Sequence, residues 1–79
     1  MIPVKPSQLK RVAHMRALAA GGDARAIRVA AGISLREAAK TIRTTPSTLS
    51  RWETGECRPA PEPALRWAAL LDQLRRVAA

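Results

Sequence analysis

Residues 33–55 read ISLREAAKTIRTTPSTLSRWETG, Ile33 to Gly55, and they hold two helix starts and two helix stops in one short span. Ser34 and Glu37 have the S-x-x-E spacing of a reciprocal capping box, directly ahead of Leu35, Ala38, Ala39 and Ile42 at i, i+3, i+4 and i+7. A helix therefore begins here. Only Arg43 and Thr44 separate Ile42 from a second cap, Thr45, which is followed by Pro46 in the first helical position, where a missing N–H does no harm. The spacing predicts two short helices joined by a tight turn, the second running to Thr54 and closing at Gly55 in the left-handed conformation.

On a helix starting at Thr45, positions 47, 50, 51 and 54 share one face and 45, 49, 52 and 53 another. The first face is Ser47, Ser50, Arg51 and Thr54; the second includes Leu49 and Trp52. Ser and Thr are mediocre in helix interiors, where a face made only for solubility more often carries Glu and Lys. Short hydroxyls permit close approach of a partner. The major groove of DNA admits such a helix, Ser and Thr pair with several base edges, and a planar guanidinium such as that of Arg51 matches guanine. The competing reading is a surface helix that is merely solvated. Glu53 falls toward the apolar side, where an unpaired carboxylate is costly. Arg28 is its mirror, within the inner stripe of Ala24, Ile27 and Ala31, so either the two pair or each reaches water separately.

Working outward, the Lys5-Pro6-Ser7 segment and the break at Gly21-Gly22 bound a helix over residues 7–20, with Ser7 a candidate cap. Asp23 is placed to cap a helix over Ala24 to Ala31, with Gly32 as its stop. Three prolines make Glu56 to Pro63 a stiff, non-helical connector. From Ala64 onward Trp67, Leu70, Leu71, Leu74 and Val77 keep helical spacing, so the last element is an amphipathic helix. The pattern predicts an all-α chain of about five short helices, two of them joined by the tight turn, with an added basic N-terminal helix. Residues 1–22 form that basic segment and residues 23–79 the domain that holds the two-helix unit.

A chain of 79 residues buries only about 60 to 65% of its unfolded surface, so the core is thin. Fourteen Lys and Arg against six Asp and Glu leave a net charge of +8, a field that favours a polyanion. The single cysteine, Cys57, excludes an internal disulfide, and no Cys and His cluster is spaced for a metal. Cys57 reads as an inert thiol and His14 as a surface residue. Neither a membrane span nor a secretory signal is visible, which points to the cytoplasm and no membrane partner. Leu9, Val12, Met15 and Leu18 give the first helix a modest apolar face, for the bundle, a partner or an anionic membrane surface. No nucleophile with an orienting base, and no phosphate-cradling glycine loop, supports an enzyme; no catalytic residue or cofactor is assigned. With two aromatics in all, stacking platforms for single-stranded RNA are also disfavoured.

The run Gly32-Ile33-Ser34-Leu35-Arg36-Glu37-Ala38-Ala39, then Thr45 to Gly55 ending in S-R-W-E-T-G, then Arg58-Pro59, resembles the helix-turn-helix domain of phage Cro and repressor proteins and the related xenobiotic-response-element-like bacterial regulators. The likeness covers roughly residues 24–72. It implies that Ser34 to Ile42 lies across the DNA backbone and that Thr45 to Thr54 is the recognition helix. Base reading falls to Thr45, Pro46, Ser47, Thr48, Ser50 and Arg51. Phosphates fall to Ser34 with its helix N-terminus, Arg36, Arg43 and Arg58, and Arg28 and Glu53 take the place of a structural ion pair.

The sequence departs from this pattern at three positions. Leu35 stands where relatives often carry a DNA-contacting glutamine, Pro46 offers no side-chain hydrogen bond, and Arg43 replaces the usual turn glycine at a cost of roughly 1 kcal/mol. Base readout then rests on Arg51 and on DNA shape. The resemblance implies a transcriptional regulator of a double-stranded DNA operator, a phage-encoded Cro-like repressor in the bacterial cytoplasm or nucleoid acting by occupancy. An antitoxin-like interaction module that also binds DNA is the alternative, with the basic first helix as its docking surface, unless that helix packs on the bundle or adds phosphate contacts through Lys10 and Arg11. Leu70, Leu74 and Val77 either complete the core or form a weak homodimer contact, with a monomer that pairs only on DNA as a third arrangement.

Overall fold

The computed structural model describes residues 5–78. Its five helices are α1 (Pro6–Ala20), α2 (Asp23–Ala30), α3 (Leu35–Thr41), α4 (Pro46–Glu53) and α5 (Pro61–Ala78), with no strand among the described residues.

Local chemistry fixes the ends of each helix. Ser34 Oγ accepts the Glu37 N–H at 3.1 Å while the Glu37 carboxylate accepts the Ser34 N–H at 3.0 Å, closing the capping box of α3. Thr45 Oγ1 accepts the Thr48 N–H at 3.2 Å and starts α4, with Pro46 as its first residue. Three helices stop in the same way. The N–H groups of Gly32 and Ile33 donate back to Val29 and Arg28, those of Arg43 and Thr44 to Lys40 and Ala39, and those of Gly55 and Glu56 to Trp52 and Arg51. Each is a Schellman closure, which needs one left-handed residue. Gly32 and Gly55 supply it at φ 74° and 79°; after α3 the residue is Arg43, at φ 63°.

Three sequence expectations are corrected. Helix α1 starts at Pro6, so Ser7 lies inside its first turn, and the Lys5 N–H is taken by the Gln8 side chain at 3.0 Å. Asp23 does not cap α2. Gly22 holds that position in the left-handed conformation, and Asp23 is the first helical residue, its charge favourable beside the helix dipole. The proline-rich connector ends at Ala60, three residues earlier than expected, because Pro61 and Pro63 fall in the first turn of α5, where the helix needs no N–H from them.

Val12, Met15 and Ala19 of α1, Ala24 of α2, Ala38, Ala39 and Ile42 of the α3 region, Leu49 and Trp52 of α4, and Ala64, Trp67, Ala68, Leu71 and Leu74 of α5 form one core. Trp52 and Trp67 meet with ring centroids 5.6 Å apart, joining the helix-turn-helix to α5. Helix α1 packs chiefly along α5 and also touches α2 and α4. The bundle therefore takes up α1's inner face, leaving Leu9 half exposed. Of the three α5 residues weighed for a dimer contact, Leu74 is buried and Leu70 packs against the core; only Val77 is exposed.

Candidate nucleic-acid interface

The orientation of α4 follows from what it buries. Leu49, Trp52 and Glu53 face inward, while Ser47, Arg51 and Thr54 are exposed and Ser50 is half-buried. Glu53 is the anchor. Its carboxylate accepts Arg28 Nε at 2.7 Å and Arg28 Nη2 at 2.9 Å, and Arg28 Nη1 donates to the Ile33 carbonyl at 2.8 Å. Two buried charges are thus neutralised bidentately, and α2, the turn before α3 and the end of α4 are tied at one point. A second arginine supports the turn of the motif: Arg66 of α5 donates through Nε to the carbonyl of Ile42 at 3.0 Å.

Leu35, Pro46, Ser47, Ser50, Arg51 and Glu56 line an open groove on the outer side of α3 and α4. Four of the six expected base readers meet there. Thr45 and Thr48 instead engage one another, their hydroxyl oxygens 2.9 Å apart, so Thr45 holds the helix start beside the groove. Leu35 and Glu56 belong to the lining although neither is among the expected contacts. Glu56 was legible as the residue after a left-handed glycine, a place where the chain folds back over the helix end; Leu35 was legible as the first residue behind the Ser34 cap.

Arg36, Arg43, Arg51 and Arg58 are all exposed, and none forms an ion pair among the described residues. Arg36 lies on α3, Arg43 in the turn, Arg51 on α4 and Arg58 on the connector. By contrast, Arg11, weighed as a phosphate contact, pairs with Asp72 of α5 at 2.7 Å, and both nitrogens of Arg16 on that edge, Nε and Nη2, donate to the Pro59 carbonyl at 3.1 and 2.8 Å. At the N-terminus of α3 the Glu37 carboxylate fills the mouth, held below the usual carboxylate range first by the Ser34 N–H and then by the Ser34 hydroxyl. Cys57 and His14 are exposed, and no group of three metal-ligating side chains occurs among the described residues.

Two helices about a tight turn, the second presenting a shallow hydroxyl face with one unpaired arginine, define a helix-turn-helix nucleic-acid-binding module. The chain belongs to the helix-turn-helix family of the Cro and repressor type, whose model matches residues 25–75. It is a DNA-binding transcriptional regulator of that type, with a lambda-repressor-like all-α domain. No curated protein and no solved structure matches the chain. No helix among the described residues is long and apolar enough to cross a membrane.

Proposed function

We propose that the protein is a repressor that acts by occupying a double-stranded DNA operator, with α4 in the major groove and Arg51 as its principal base reader. The observation that carries this reading is the open flank of α4, where Ser47, Ser50 and the unpaired Arg51 face solvent while Leu49, Trp52 and Glu53 fix the helix from behind. Ser47 and Ser50 let the backbone approach, and Pro46 and Thr48 flank the point of entry. Arg36, Arg43 and Arg58 hold phosphates around the groove, and Ser34 and Thr45 set the two helix starts between them. In this reading two copies bind half-sites one helical turn apart and pair only on DNA, which is supported by the burial of Leu74 and the packing of Leu70 against the core, leaving Val77 alone of the three exposed. The antitoxin-like alternative rests on the basic first helix, and two of that helix's basic residues are engaged within the bundle, Arg11 by Asp72 and Arg16 by the Pro59 carbonyl.

The division of labour is testable on duplexes enriched from a random pool. Arg51→Ala should lose about 1 to 3 kcal/mol at one base position, relaxing preference there. Arg58→Ala should weaken enriched and random duplexes alike and lower the salt slope by about 0.9. Equal losses for both variants on both kinds of duplex would contradict the assignment.

A further inference from the structure

The groove beside Arg51 has an apolar edge that hydrogen bonding to bases does not explain. Leu35 and Pro46 are each the first residue of a helix, one after the Ser34 cap and the other after the Thr45 cap. The Ser34 and Thr45 caps thereby set both side chains into the groove that Ser47, Ser50 and Arg51 share. Leu35 is half-buried, one side against the core, and Pro46 is exposed. Neither side chain has a hydrogen-bonding atom. In the major groove the apolar feature of a base edge is the C5 methyl group of thymine, which unmodified cytosine lacks, and the partner of a guanidinium is guanine through O6 and N7.

We infer that Leu35 and Pro46 form a seat for the C5 methyl group of a pyrimidine adjacent to the guanine bound by Arg51. The ligand is therefore a 5-methylpyrimidine–guanine step, supplied by thymine or by 5-methylcytosine, and a step with unmodified cytosine is bound less well. This rests on the reading of α4 as the DNA-reading helix. It assigns base discrimination to two residues that cannot donate or accept, and it makes binding at a cytosine–guanine step dependent on DNA methylation.

The test uses the full chain and a duplex enriched from a random pool. At each pyrimidine next to a guanine, dU replaces dT in one series, and 5-methyl-dC is compared with dC in a second. Affinities are read by fluorescence anisotropy for the native protein, Leu35→Ala and Pro46→Ala. The native protein should bind the methylated member of a pair about fourfold more tightly at one position, the factor for burying a single methyl group. Both variants should bring that ratio close to one while keeping the guanine preference. The ratio is internal to each protein, so a variant that is merely less stable leaves it unchanged. A preference for dT over dU alone assigns thymine, and a gain on 5-methyl-dC as well assigns methylated DNA; either upholds the seat. Equal binding of methylated and unmethylated members in both series, or a ratio that survives both substitutions, overturns it while leaving operator binding intact. A pool yielding no enriched duplex overturns the seat together with the reading beneath it.

Discussion

At the scale of single residues, two arginines serve the fold and the surface in opposite senses. Arg28 is buried against Glu53, and Glu53→Ala leaves its guanidinium without a counter-charge. Breaking one side of a buried pair typically costs about 3 to 5 kcal/mol. In a domain of this size that should lower Tm by more than about 10 °C. A thermal melt read by circular dichroism checks it, and a shift of only a degree or two would deny the pair its structural role. Arg43 is the reverse case. At φ 63° it holds a conformation that glycine adopts without strain. Arg43→Gly should therefore stabilise the fold by about 1 kcal/mol, roughly 4–8 °C in Tm, while weakening every duplex alike through the lost charge. A variant that gains no stability would show that the arginine is not strained there, and one that keeps full affinity at low salt with an unchanged salt slope would show that it holds no phosphate.

At the scale of elements, what the sequence made legible was local and what it concealed was not. The caps at Ser34 and Thr45 and the stops at Gly32, Arg43 and Gly55 depend on neighbours within five residues; spacing placed all but the stop at Arg43, which the family resemblance supplied as the position of the usual turn glycine. The pairing of Arg28 with Glu53, 25 positions apart, was also legible, because both charges lay on inward stripes of amphipathic helices. The start of α5 was obscured by reading prolines as breakers, although two of them suit a first turn. The open flank of α4 could be read from Ser47, Ser50 and Arg51; for Leu35 and Glu56 the sequence held only a local signal, their places beside the Ser34 cap and the Gly55 stop, and their inclusion depends on how the helix ends fold over the groove. The place of α1 was the least visible part, since Val12, Met15 and Ala19 form a narrow stripe diluted by other alanines.

That stripe makes α1 integral to the stability of the bundle. Val12 and Met15 are fully buried, and burial of such side chains is worth about 1.5 to 3 kcal/mol each. Their sum approaches the whole stability of a small domain. Removing residues 1–22 should abolish cooperative unfolding in urea, even though the family match begins at residue 25. A shortened chain that still unfolds in one sharp transition near the native midpoint would contradict the single core.

At the scale of the whole molecule, the net charge of +8 is only partly committed to the fold. Arg11, Arg16, Arg28 and Arg66 are occupied by partners within the bundle. Arg36, Lys40, Arg43, Arg51 and Arg58 on and around the helix-turn-helix are exposed without an ion pair among the described residues, as are Lys5, Lys10, Arg25, Arg75 and Arg76 elsewhere on the described surface. The body measures 34 × 26 × 22 Å. Half-sites one helical turn apart are separated by about 34 to 36 Å, a spacing that leaves room for two bodies of this size side by side, as the proposed operator binding requires.

The central claim, that Arg51 reads a guanine from the major groove, is tested most directly by a cycle between protein and base. An enriched duplex carries 7-deazaguanine, which lacks the N7 acceptor, at each guanine in turn, and affinities are measured for the native protein and for Arg51→Ala. One guanine per half-site should lose about 1 to 3 kcal/mol of binding to the native protein on substitution, and nothing further once Arg51 is absent. Losses that simply add, or no guanine whose N7 matters, would contradict it.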